Sequence, residues 1–129
     1  MTTYVENWFA RAEEDLAAAD ILLAKNGSVN LVCFHAQQAG EKYLKGFLAH
    51  HDKHVRKSHD LILLLVECKK VNPSFVELEE AMAYLAKFYI QSRYPDDFIQ
   101  FSRTEAEQAL RFGNLIKDFI QGKIQSEHQ

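Results

Sequence analysis

Proline is nearly missing from this chain, with two in 129 residues, and glycine is scarce at five. So few breakers leave room for long uninterrupted helices. The two cysteines, Cys33 and Cys68, stand in apolar segments without CxxC or metal-type spacing. That excludes a disulfide framework and points to buried free thiols in a reducing compartment. Long hydrophobic runs are also lacking: none exceeds the length of Leu61 to Val66, far short of the roughly 18–20 residues that span a bilayer. The N-terminus carries Glu6, Glu13, Glu14 and Asp15 where a secretory leader would need basic and then apolar residues. The reading is a soluble, cytoplasmic protein. Basic excess is missing too. With a formal charge of −3, no global positive field steers polyanions, and only local basic patches could serve them.

What is present is helical periodicity. Apolar residues recur at three and four throughout, which predicts an all-α fold in a single domain, residues 1–129, with a polar tail from about residue 122. Five helices are expected. The first, Thr3 to Lys25, has Val5, Trp8, Ala12, Leu16, Ala19 and Leu23 on one stripe and a stop at Asn26-Gly27. The second, Asn30 to His50, carries an apolar arc about half its circumference wide, which suits a central helix with neighbours on two sides. A short third helix, His59 to Lys69, would be N-capped by Ser58. The capping boxes Ser74 with Glu77 and Ser102 with Glu105 predict helices running to about Ile90 and from Arg103 to Gln121. Short connections between four long amphipathic helices imply an up-and-down four-helix bundle with one additional short helix. The connection Gln91 to Phe101 holds Phe98, Ile99 and Phe101 and must pack on something. Phe112 and Phe119, seven apart, lie beyond the last helix's stripe. They fit either a subunit interface or the core edge under that loop.

Three groups of residues could carry chemistry. On the second helix His35, Gln38, Lys42 and Lys45 share one side. They form either a polar strip offered to a phosphate-bearing ligand or a solvated face with Glu41 and Lys45 as an i,i+4 pair. Leu31 and Phe34 lie among them, where a subunit interface would bury both. His59 and Asp60 follow a basic stretch at a helix start, where they either complete a cap or supply a proton acceptor and phosphate contact. Arg93-Tyr94-Pro95 could bind phosphate and stack a base, or tie its loop down through Asp96 or Asp97. The run His50-His51-Asp52-Lys53-His54 would place His50 and His54 one turn apart only if the helix continued, and no specific metal site is expected from it.

The segment Phe34-His35-Ala36-Gln37-Gln38-Ala39-Gly40-Glu41-Lys42-Tyr43-Leu44-Lys45-Gly46-Phe47-Leu48, with Lys57-Ser58-His59-Asp60-Leu61 and Ser92-Arg93-Tyr94-Pro95-Asp96, resembles the HEPN domain (higher eukaryotes and prokaryotes nucleotide-binding). The likeness is to its small stand-alone prokaryotic form and runs from Trp8 to about Ile120. The resemblance implies a helical bundle that dimerises, often encoded beside a minimal nucleotidyltransferase in a toxin–antitoxin-like pair. Catalytic members are metal-independent ribonucleases with an R-x4-6-H motif. This chain departs from it: two residues separate Arg56 from His59, and no histidine follows Arg93 before His128. The reading is therefore a homodimeric module that binds a nucleotide, RNA or a nucleotidyltransferase partner, leaning away from an enzyme and needing no cofactor. Lys42, Lys45 and Arg93 would meet phosphates, His59 would add a hydrogen bond and Tyr94 would pack on the base. The alternatives are a degenerate ribonuclease toxin using His59 and Arg93 and a structural scaffold dimer.

Overall fold

The computed structural model describes residues 1–89 and 99–128, and among these every regular element is helical. Five α-helices follow in order: α1 Thr3–Ala24, α2 Val29–His50, α3 Leu61–Val71, α4 Glu79–Ala86 and α5 Arg103–Glu127, with a 3-10 stretch at Pro73–Leu78 before α4. Helix α2 is the centre, packed against α1, α3, α4 and α5. Its buried set runs from Val32 to Ala49 and includes Tyr43, Leu44, Phe47 and Leu48, so the wide apolar arc has neighbours on both sides. At Gly46 an added Cβ would lie 2.6 Å from Phe9 Cε1. The missing side chain lets the Phe9 ring rest against α2 and beside Tyr43, at 6.1 Å between centroids.

Helix directions follow from the contacts at their ends. The Asn30 side chain bonds to Ile99 O at 2.7 Å and accepts from Phe101 N at 2.9 Å, while His51 meets Glu127 at 2.9 Å. Thus α5 starts beside the start of α2, ends beside its finish and runs parallel to it. Arg103 bonds to Asn26 and Lys117 pairs with Glu13, which sets α1 antiparallel to both. This is the alternation of an up-and-down bundle.

Both long N-terminal helices end in the same turn. Gly27 N bonds to Leu22 O and Asn26 N to Leu23 O, with Asn26 at φ 56°. Lys53 N bonds to Leu48 O and Asp52 N to Ala49 O, with Asp52 at φ 57°. These are Schellman closures in which an Asn or Asp takes the left-handed position usually given to glycine. The second closure matters for the histidines: α2 stops at His50, so His54 is not one helical turn beyond it.

Several boundaries differ from the sequence reading. Asp60 caps α3, accepting from Ile62 N and Leu63 N, while the Ser58 hydroxyl accepts from Asp60 N. The helix therefore begins two residues later than expected, because a carboxylate reaches two orphan amides. The Ser74/Glu77 box does not form. Asn72 takes the Ser74 amide and hydroxyl instead, and Pro73 leads a 3-10 stretch before α4. The Ser102/Glu105 box is complete. Helix α5 runs to Glu127 through the stretch expected as a polar tail, since no proline stops it and Ile124 still packs on the core. Of the apolar connection, Phe101 packs edge-on to Phe88 at 4.8 Å while Ile99 is 63% exposed; Phe98 lies outside the described residues. Cys33 and Cys68 are buried free thiols, and burial pushes the Cys33 pKa up to about 11 and that of Cys68 upward as well.

Candidate functional site

The polar strip of α2 is turned inward against neighbouring elements. Asp15 of α1, buried, receives Lys42 Nζ at 2.6 Å on one carboxylate oxygen and faces His35 Nδ1 at 2.9 Å on the other. Gln38 donates to Gln37 at 2.7 Å. One turn further on, Lys45 Nζ donates to Glu41 at 3.0 Å, with side-chain exposures of 7% and 4%. The expected i,i+4 pair thus exists, but buried, with Lys45 Nζ 5.6 Å from the Trp8 ring centroid. Lys42 and Lys45 are consequently engaged by carboxylates inside the fold and turned away from open solvent.

Glu41 links this interior to the surface. Its Oε1 lies 2.9 Å from His59 Nδ1 while its Oε2 holds Lys45. His59 is half exposed, at 51% of its side chain, and its ring stacks on Tyr89 at 4.9 Å and 18°. The imidazole is therefore fixed on one edge by a buried carboxylate and on one face by an aromatic ring. An open groove of about 430 Å³ lies here, lined by Lys57, Ser58, His59, Asp60, Ala86 and Tyr89 among others. The N-terminal amides of α3 do not face a ligand freely, since Asp60 already occupies them. Positive charge at the groove comes instead from Lys57, while a second cavity of about 280 Å³ toward the other end of α3 gathers Lys53, His54, Arg56 and Lys70, with Glu67 paired to Arg56.

Among the residues singled out from sequence, His59 lies at the groove and Lys45 lies behind it through Glu41, whereas Lys42 is turned to Asp15 of α1. Arg93 and Tyr94 fall outside the described residues. In the sequence Tyr89 reads only as a core position, and Glu41 only as a surface partner of Lys45. No local signal ties either to His59, because the contacts cross 18 residues in one case and join two different connections in the other. His50 and His51 gather elsewhere, where they meet Glu127 at the far end of α5. Burial, and then His51 alongside, lowers the His50 pKa.

The crystal structure of TT1696 from Thermus thermophilus shares 32% identity with this chain, with a TM-score of 0.79 over 95% of this chain and 99% of the other. ST0689, described as an archaeal HEPN homologue, shares 28% identity and a TM-score of 0.76, covering 93% of this chain and 97% of its own. No curated protein matches. The family model described as HEPN domain matches residues 5–123, and with that span nearly the whole described bundle is accounted for: the chain belongs to the HEPN domain family.

Proposed function

We propose that the protein is a HEPN-type binding module for a nucleotide or the phosphate-bearing end of an RNA, acting as a homodimer. Its partner would be a minimal nucleotidyltransferase in a toxin–antitoxin-like pair. The observation that carries this reading is the fixed His59 ring, held by Glu41 and stacked on Tyr89, at an open groove beside Lys57. Glu41 takes the Nδ1 edge, which gives Nε2 to the ligand. The aromatic pair offers a flat face for a base, and Lys57 offers a point charge for phosphate. Lys53 and Lys70 line a separate cavity toward the other end of α3 and form a second local basic patch on a chain whose net charge is negative. Arg93 and Tyr94, four and five residues beyond Tyr89 in sequence, are the further proposed phosphate and base contacts. Lys45 acts on the ligand only through Glu41, which it neutralises, while Lys42 serves Asp15 of α1.

Calorimetric titration with ATP, AMP and a short RNA tests this. Saturable binding is expected in the wild type, with at least a tenfold loss in Lys57→Ala and His59→Ala. Binding that both variants retain would remove the groove from consideration. Silence across the ligands would favour the partner protein as the groove's occupant.

The His59–Glu41 contact also favours one second reading, a metal-independent ribonuclease. A carboxylate that orients an imidazole is the arrangement of a general base, here for a 2′-hydroxyl. RNA cleavage in excess chelator that disappears in His59→Ala would establish it, and intact RNA would dismiss it.

A further inference from the structure

The structure joins two histidines and a carboxylate that the sequence keeps far apart. His50 is the last residue of α2, His51 is its C-cap and Glu127 is the last residue of α5. His51 Nε2 lies 2.9 Å from the Glu127 carboxylate and His50 Nε2 lies 3.8 Å from it. One donor atom from each residue falls within a 4.8 Å cluster. The Schellman turn at Asp52 sends His54 to the neighbouring basic cavity instead, so the metal pairing that the sequence made conditional on a longer helix is replaced by this one.

From this geometry we propose that His50, His51 and Glu127 form a binding site for a divalent transition ion of the zinc class. Two imidazole nitrogens and one carboxylate are a donor set that zinc accepts in tetrahedral sites, leaving a fourth position for water or another ligand. Metal–ligand bonds of roughly 2.1 Å put tetrahedral donors roughly 3.4 Å apart. The two histidine–carboxylate separations, 2.9 and 3.8 Å, already straddle that value. Side-chain rotation of about 1.5 Å brings in the widest pair allowed by the cluster. The His128 ring stacks 6.0 Å from that of His50 and is one candidate for the fourth position. The two histidines are partly shielded, with side-chain exposures of 17% for His50 and 29% for His51, while Glu127 stands exposed at the end of α5. Phe47 backs His51 at 4.6 Å between centroids. An ion here would staple the end of α5 to the end of α2, replacing a contact between side chains with coordinate bonds across 76 residues. It stands apart from the His59 groove and does not depend on what binds there.

The test uses the full chain purified without a metal-affinity tag. Co2+ is titrated in while its visible absorption is followed, and Zn2+ is then competed against a chromophoric chelator. One equivalent, with cobalt bands of four-coordinate intensity displaced by zinc, is the expected result. Glu127→Gln and His51→Ala should each weaken zinc at least about tenfold, while His54→Ala should leave it unchanged. Glu127 sits at a helix end, so Glu127→Gln keeps the fold, and far-ultraviolet circular dichroism on the same samples verifies this. Several weak equivalents that Glu127→Gln does not affect, or binding lost in His54→Ala instead, would overturn the site.

Discussion

At the scale of single residues, the most consequential side chains are carboxylates that the chain buries. Asp15 and Glu41 are 8% and 3% exposed, and each organises two basic partners from another turn or another element. Such groups cost desolvation and persist because the partners satisfy them. Asp15→Ala leaves Lys42, only 22% exposed, without its carboxylate. It should cost about 1–3 kcal/mol of stability, measured by urea unfolding. Glu14→Ala, one residue earlier and exposed, should stay within about 0.5 kcal/mol. Equal effects of the two would mean that the Asp15 cluster contributes nothing. Glu41 has the further role of holding His59, so its removal acts on the groove and the core together.

At the scale of elements, the helix starts decide where functional atoms stand. Asp60 rather than Ser58 begins α3, which leaves His59 just outside the helix, free to turn toward Glu41 and Tyr89. The start of α5 is set by the Ser102/Glu105 box, with Lys87 paired to Glu105 at 3.3 Å. Ser102→Ala should cost about 1 kcal/mol. The backbone N–H of Ser102, and next Lys87, hold the Glu105 carboxyl below the usual carboxylate range. Because the folded-state pKa lies below the unfolded one, the contribution is complete above the ordinary glutamate pKa. It is lost as pH falls through the folded value. The stability difference between wild type and Glu105→Gln should therefore be largest near neutrality and shrink in acid. A difference that stays constant down to about pH 2 would contradict the linkage.

At the scale of the whole molecule, the proposed dimer is tested at the exposed apolar residues. Phe112 and Phe119 pack on their own chain, against Tyr84 at 5.3 Å and Phe75 at 5.0 Å, so they do not argue for an interface. Leu31 at 45% exposure and Ile99 at 63% are brought to one end of the bundle by the Asn30 bond to Ile99 O, and the dimer reading would have them covered. Light scattering should give twice the 14.9 kDa chain mass, and Leu31→Asp should halve it. A wild type that is monomeric at micromolar concentration would end the proposal. The bundle itself, its five helices, the α1 stop at Asn26-Gly27 and the start of α5 are all legible in the sequence. Those features follow from 3.6-residue periodicity and from caps that act within four residues. The Ser74 box misleads because a second local competitor, Asn72 before Pro73, wins the same amide. What the tertiary structure alone decided is which polar groups meet. Asp15 with Lys42, Glu41 with His59, and His51 with Glu127 lie 27, 18 and 76 residues apart. Such contacts depend on how helices are laid side by side and on the turn that ends α2. Periodicity names the face of a helix but not the side chain that the neighbouring helix will place against it.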